Sequence, residues 1–203
     1  MLTTLHFTSH EDFAGANNSE KKPELDHKIV FLGNAKTGKT SIISRFLHNT
    51  FSEEYAFTIG AAYTKKEYLY LNHVIRLSMW DTAGEERYMS LIPMYLPNSD
   101  EVVIVFDVTN RKSFEDIENW ISFVNSAIRD PMIFVVGNKI EEDRVINFDE
   151  AHQKCSELGC FYFEVSAKFN VHVQELFLVM AKKTKTSIKS GKFGKRDDAI
   201  NQM

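Results

Sequence analysis

Residues 33–40 read Gly33-Asn34-Ala35-Lys36-Thr37-Gly38-Lys39-Thr40. The spacing fits G-x-x-x-x-G-K-[ST], a loop set between a strand and a helix. Gly33 and Gly38 permit the backbone torsions that turn successive N–H groups around phosphate oxygens. The N-terminus of the following helix adds its partial positive charge. Lys39 is placed to reach the β- and γ-phosphates of a nucleotide, and the Thr40 hydroxyl to ligate Mg²⁺. The loop alone does not choose between ATP and GTP.

The flanks supply the context that the motif needs. Upstream, the apolar run KIVFLG ends at Gly33 and suits a buried strand. Downstream, Ile42, Ile43, Phe46 and Leu47 recur at helical spacing. Further on, residues 62–71 and 74–80 predict two strands joined by a turn at Asn72-His73. The runs EVVIVFD (101–107) and MIFVVGN (132–138) are continuously apolar, as strands covered by helices on both faces are. Between them Phe114, Ile117, Ile121, Val124 and Ile128 mark one helix face, with Ser113 as its expected N-cap. A helix near 149–158, a strand over 160–166 and a helix from about Val173 complete the pattern. Strand and helix alternate with one early hairpin. This predicts an α/β domain with a six-stranded, mainly parallel sheet, one antiparallel edge strand and helices on both faces. Ligands bind at the carboxyl ends of such strands. The expected domain covers 27–189, after a flexible extension over 1–26 and before a flexible basic tail over 190–203.

Two more strand ends carry chemistry. Asp81 closes an apolar run and opens DTAGEER; a carboxylate there suits holding Mg²⁺ through its water shell. Gly84 exposes a backbone N–H where a γ-phosphate could be sensed.

With the loop, Thr58, DTAGE (81–85), NKIE (138–141) and SAK (166–168) in this order, the chain resembles the Ras-like small GTPases over roughly 27–189. The resemblance implies the small G-domain version of the P-loop fold, with GTP/GDP and Mg²⁺ as ligands. Asn34, Ala35, Lys36, Thr37, Gly38, Lys39, Thr40 and Ser41 would then hold the phosphates, and Phe51 would flank the guanine ring. Thr58 would bind Mg²⁺ and γ-phosphate from switch I, and switch II would begin at Gly84. Asn138, Lys139 and Glu141 would grip the base, with Ser166, Ala167 and Lys168 beside it. The metal set is Thr40, Thr58 and Asp81, and the hydrolytic set is Glu85, Lys39 and Thr58. Ile59–Tyr63, Arg87–Leu91 and LIPMYLP (91–97) resemble Rab segments, nearest to the endosomal Rabs. Tyr63, Trp80 and Tyr95 match the aromatic triad through which Rabs meet effectors. That resemblance implies a GTP-dependent switch in vesicle trafficking that meets effectors, exchange factors and GAPs.

The chain departs from the family pattern at mechanistic positions. Glu85 stands where a glutamine ordinarily orients the attacking water. An ionised carboxylate can only accept hydrogen bonds, and it is repelled by a nearby γ-phosphate. This predicts slow intrinsic hydrolysis, or a guanine-nucleotide-bound interaction module that does not turn over. Glu141 replaces the aspartate that reads guanine, one methylene further out, which predicts weaker affinity with guanine preference kept. Ala35 and Lys36 replace glycine or small residues, and a methyl at Ala35 would crowd a partner's arginine finger.

Bulk properties narrow the partners. A net charge of −4 argues against nucleic-acid binding. No apolar run reaches the roughly 20 residues of a membrane span. Two cysteines, Cys155 and Cys160, form no disulfide or zinc framework. No cysteine follows Cys160, so no prenylation box is present. The lysines at 182, 183, 185, 189, 192 and 195 allow peripheral contact with an anionic membrane. The expected location is the cytoplasm, with endomembranes as the peripheral alternative.

Overall fold

The computed structural model describes residues 24–54, 56–70 and 73–190. Strand β1 (Glu24–Leu32) begins ahead of His27, the expected domain start, and runs into the loop at 33–38. Helix α1 (Lys39–His48) follows, then β2 (Ala61–Tyr70) and β3 (His73–Thr82). The expected turn at Asn72-His73 involves Asn72, which lies outside the described residues. A 3-10 segment (Glu86–Met94) leads to β4 (Glu101–Asp107), α2 (Arg111–Glu115), α3 (Ile117–Ala127) and β5 (Met132–Asn138). Helix α4 (Phe148–Glu157), β6 (Phe161–Val165) and α5 (Val173–Ser190) complete the domain.

The six strands lie in the order β2-β3-β1-β4-β5-β6. Only the β2–β3 pair is antiparallel; β3–β1, β1–β4, β4–β5 and β5–β6 are parallel. The expected sheet is therefore the observed one. Alternation along β1 divides the core. Ile29 and Phe31 face α1 and α5, meeting Ile42, Phe46, Leu176 and Phe177. Val30 and Leu32 face the opposite layer, with Phe114, Trp120, Ile121 and Ala151 from α2, α3 and α4. Helices on both faces leave the central strands no solvent-exposed side. That is why β4 is buried at every position and reads as an unbroken apolar run.

One local expectation is corrected. Ser113 is not an N-cap: the helix starts earlier, capped by Asn110, whose side chain accepts the Ser113 N–H at 3.2 Å. Ser113 is buried instead, its Oγ donating to the Asn110 carbonyl at 2.8 Å and accepting from the Asp107 N–H at 3.0 Å. An amide three residues earlier reaches the Ser113 N–H, and the single expected helix splits at Asp116. The lysine-rich stretch from Lys182 is helical to Ser190, because lysine sustains a helix and the first glycine after it is Gly191. Residues 1–23 and 191–203 lie outside the described residues.

Candidate nucleotide-binding site

The carboxyl ends of β1, β3, β5 and β6 share one rim of the sheet, and a cleft of about 840 Å³ opens there. Its walls include Ala35, Lys36, Gly38, Lys39, Thr40 and Ser41 from the glycine loop and α1. Phe51 and Thr58 come from the α1–β2 connection, and Gly84 and Glu85 from the segment after β3. Asn138, Lys139, Glu141, Ala167 and Lys168 close the far end. Segments more than a hundred residues apart in sequence are thus brought onto one cavity by parallel crossover connections.

At the phosphate end the backbone does the shaping. Gly33 and Gly38 have φ of 127° and 94°, and a Cβ on either would collide with the Val105 carbonyl or the Asn138 amide. Lys36 is also left-handed, at φ 64°. Lys39 is buried, its Nζ donating to the carbonyls of Gly33 at 2.8 Å and Asn34 at 2.9 Å. Burial lowers its pKa from the ordinary 10.5 to about 8, with Asp81 opposing. A buried cation held only by two neutral carbonyls is short of negative charge, which a polyphosphate would supply.

Thr40 Oγ1 donates to Asp81 Oδ2 at 2.6 Å and lies 3.2 Å from Thr58 Oγ1. Burial raises the Asp81 carboxyl, opposed by the Thr40 hydrogen bond and the Lys39 charge. Its Oδ1 is buried with no hydrogen-bond partner. Two hydroxyls and a carboxylate with an unmet oxygen fit Mg²⁺, which takes few protein oxygens and relies on phosphate and water for the rest. Among the described residues no cluster of three His, Cys, Asp or Glu offers an all-protein metal cage. Gly84 closes this end: a Cβ there would lie 2.5 Å from Ala35 N and from Lys39 Nζ. Only glycine lets the segment lie so close to the loop.

The other end of the cleft is built from side chains. Asn138 is buried between two loops, its Nδ2 donating to the Thr37 carbonyl at 2.9 Å and its Oδ1 accepting the Ala167 N–H at 3.2 Å. Lys139 forms an ion pair with Asp107 at the end of β4. Glu141 lines the cleft, and its Oε2 is buried and unpartnered, so the carboxylate oxygen is poised for a donor that the protein does not provide. Phe51 lines the cleft while packing against the α1–α5 core cluster; ring wall and core residue are one and the same here.

Four of the expected residues, Asp81 among them, are not part of the cleft lining. Asn34 turns away, donating to Asp116 Oδ2 at 2.7 Å and accepting from Trp120 Nε1 at 2.8 Å. Thr37 is buried, its hydroxyl donating to the Asn34 carbonyl at 3.0 Å. Ser166 is buried and accepts the Phe169 N–H at 2.9 Å, which shapes the turn that presents Ala167. Two partners went unforeseen. Asp107 ends an apolar strand as Asp81 does, a signal that was there to be read. Arg87, in contrast, gives no sign in the sequence that its guanidinium pairs with Glu85 at 2.6 Å while lying 5.8 Å from the Phe57 ring.

A family model described as the Ras family matches residues 28–186, a span that includes the glycine loop and every strand end around the cleft. The chain belongs to the Ras family. Its members are small GTPases that bind guanine nucleotides with Mg²⁺ and meet regulators and effectors through two switch segments. In this Ras-family chain the corresponding surface is apolar and exposed: Phe57, Ile59, Tyr63 and Met94 are all more than half exposed. Tyr63, Trp80 and Tyr95 form a continuous row of tilted rings with centroid separations of 5.1 Å at each step. No helix among the described residues is long and apolar enough to cross a membrane.

Proposed function

We propose that this Ras-family chain is a Rab-like GTP/GDP switch in vesicle traffic whose intrinsic hydrolysis is slow. The observation that carries the slow rate is the Glu85–Arg87 ion pair at 2.6 Å. The carboxylate stands at the position of the water-orienting glutamine and is already engaged by a cation. A carboxylate so held offers no N–H to a phosphate oxygen, so it cannot bridge water and substrate as an amide does. Arg87 offsets part of the charge repulsion, which lets the triphosphate bind even though Glu85 lines the cleft.

In this reading Lys39 and the loop N–H groups hold the β- and γ-phosphates, and Thr40, Thr58 and Asp81 hold the metal. When bound, Mg²⁺ neutralises charge on the phosphate oxygens. Thr58 and Gly84 follow the presence of the γ-phosphate, and the Tyr63–Trp80–Tyr95 row is the surface that an effector reads. Aromatic anchors of this kind dominate interface energetics, which supports the Rab-like assignment.

Single-turnover GTP hydrolysis tests the proposal. The expected result is a slow but measurable rate that Glu85→Gln raises by about tenfold or more. An unmeasurable rate in both proteins, with and without a GAP, would favour the second reading that Glu85 and Ala35 support: a nucleotide-bound interaction module.

A further inference from the structure

Two segments face each other across the base end of the cleft, and the same two are tied together repeatedly. One is the exit of α1, Asn49–Glu53; the other is the loop after β6, Ala167–Asn170. Arg45 on α1 reaches both. Its Nε donates to the Ala167 carbonyl at 2.8 Å and its Nη2 to the Lys168 carbonyl at 2.8 Å. Its Nη1 donates to the Asn49 carbonyl at 2.6 Å and lies 3.1 Å from Asn49 Oδ1. Asn170 Nδ2 donates to the same Asn49 Oδ1 at 3.2 Å. Further out, Lys168 Nζ pairs with Glu53 at 3.0 Å, and this bond raises the Lys168 pKa.

The consequences follow from what these segments carry. Asn49 is the left-handed C-cap of α1, at φ 53°, and Phe51 follows two residues later. Ala167 presents the backbone N–H at the far wall. One planar guanidinium therefore ties the chain that leads to the ring wall to the loop that carries Ala167, whose N–H is held by Asn138 Oδ1. A guanidinium fork that donates in several directions at once loses little freedom per bond formed. The Lys168–Glu53 pair spans the same gap in the open, with Glu53 76% exposed.

We infer that Arg45, Asn49 and Asn170, with the Lys168–Glu53 pair as an outer latch, form a clasp that positions the base-recognition walls and governs nucleotide release. The inference rests on the guanine-binding reading and deepens it. Arg45 is a positioning residue that acts through Ala167 and Phe51. With Glu141 one methylene longer than the family's aspartate, the clasp is the part of this site that holds the base against that looseness.

Stopped-flow release of fluorescent GDP, together with GDP and ADP affinities, tests the clasp. Arg45→Ala is expected to release GDP about tenfold faster and to narrow the preference for GDP over ADP, since Ala167 would lose its carbonyl tether and keep the Asn138 bond. Arg45→Lys, which keeps the charge and loses the fork, is expected to recover little of it. Glu53→Gln leaves the fold untouched and is expected to speed release about two- to threefold at low salt, an effect that salt abolishes. A charge swap, Glu53→Lys with Lys168→Glu, is expected to restore slow release. If wild type prefers GDP while Arg45→Ala and Glu53→Gln both release it at the wild-type rate with that preference intact, the clasp is overturned. If wild type shows no preference for GDP over ADP, the guanine reading itself fails, and the clasp with it.

Discussion

The two ends of the cleft are built by different means. At the phosphate end, glycine torsions and buried backbone contacts fix the geometry: Gly33, Gly38 and Gly84 admit no Cβ, and Lys39 is held by two carbonyls. At the base end, side chains from a strand end, a loop and a helix do the work: Asn138 bridges two loops, Lys139 leans on Asp107, and Arg45 spans the opening. Backbone-built sites tolerate almost no change, whereas side-chain sites can lose one contact and keep others. The positions where the sequence departs from the expected family pattern lie at both ends: Ala35, Lys36 and Glu85 at the phosphate end and Glu141 at the base end.

Substitutions can break this contrast. Gly33→Ala places a methyl on the Val105 carbonyl at a torsion that suits glycine. It is expected to cost about 4 kcal/mol or more in urea unfolding, and a loss below about 1 kcal/mol would show that the loop is softer than its packing implies. Lys39→Met keeps the side chain's bulk and removes its charge. GDP affinity measured by calorimetry is expected to fall about a hundredfold.

Alkaline pH sharpens the same point. Lys39 has its pKa lowered from 10.5 to about 8 in the folded protein, so at pH values between these the unfolded chain binds more protons than the native one. Stability then rises with pH through that window: the burden of a buried cation is fully present below about pH 8 and is relieved above it. For nucleotide-free protein, raising the pH from about 8 to about 9.5 is expected to add roughly 1–2 kcal/mol relative to Lys39→Met measured alongside. A constant difference between the two proteins would place the charge elsewhere.

The smallest change belongs to the adaptable end. Glu141→Asp restores the shorter carboxylate and is expected to tighten GDP binding about tenfold. It should leave hydrolysis unchanged, because Glu85 and the phosphate loop are untouched. Weaker binding by the aspartate variant would show that the loop has already moved to suit the longer side chain.

The same division explains what could be read in advance. The mainly parallel sheet and its helix layers were legible because β4 and β5 are buried runs ending in polar residues, and the glycine loop because its spacing is set by backbone geometry. Local periodicity could not reveal Arg45 on carbonyls 122 and 123 residues away, nor Asn34 turned toward Asp116 and Trp120. Those pairings exist only once strand ends are gathered on one rim. Ser113 failed for a related reason. A serine before an apolar helix face can cap it or hide beneath it, and the outcome depended on Asn110 reaching the Ser113 N–H and starting the helix earlier.

Competition binding of GDP, ADP and XDP in the presence of Mg²⁺ tests most directly whether Glu141 and its surroundings still read guanine. Glu141 has a buried, unpartnered Oε2 that suits the N–H edge of guanine and opposes the carbonyl that xanthine carries there. The expected order is GDP tightest, with XDP and ADP each weaker by about tenfold or more. Equal binding of the three, or XDP tighter than GDP, would contradict the account.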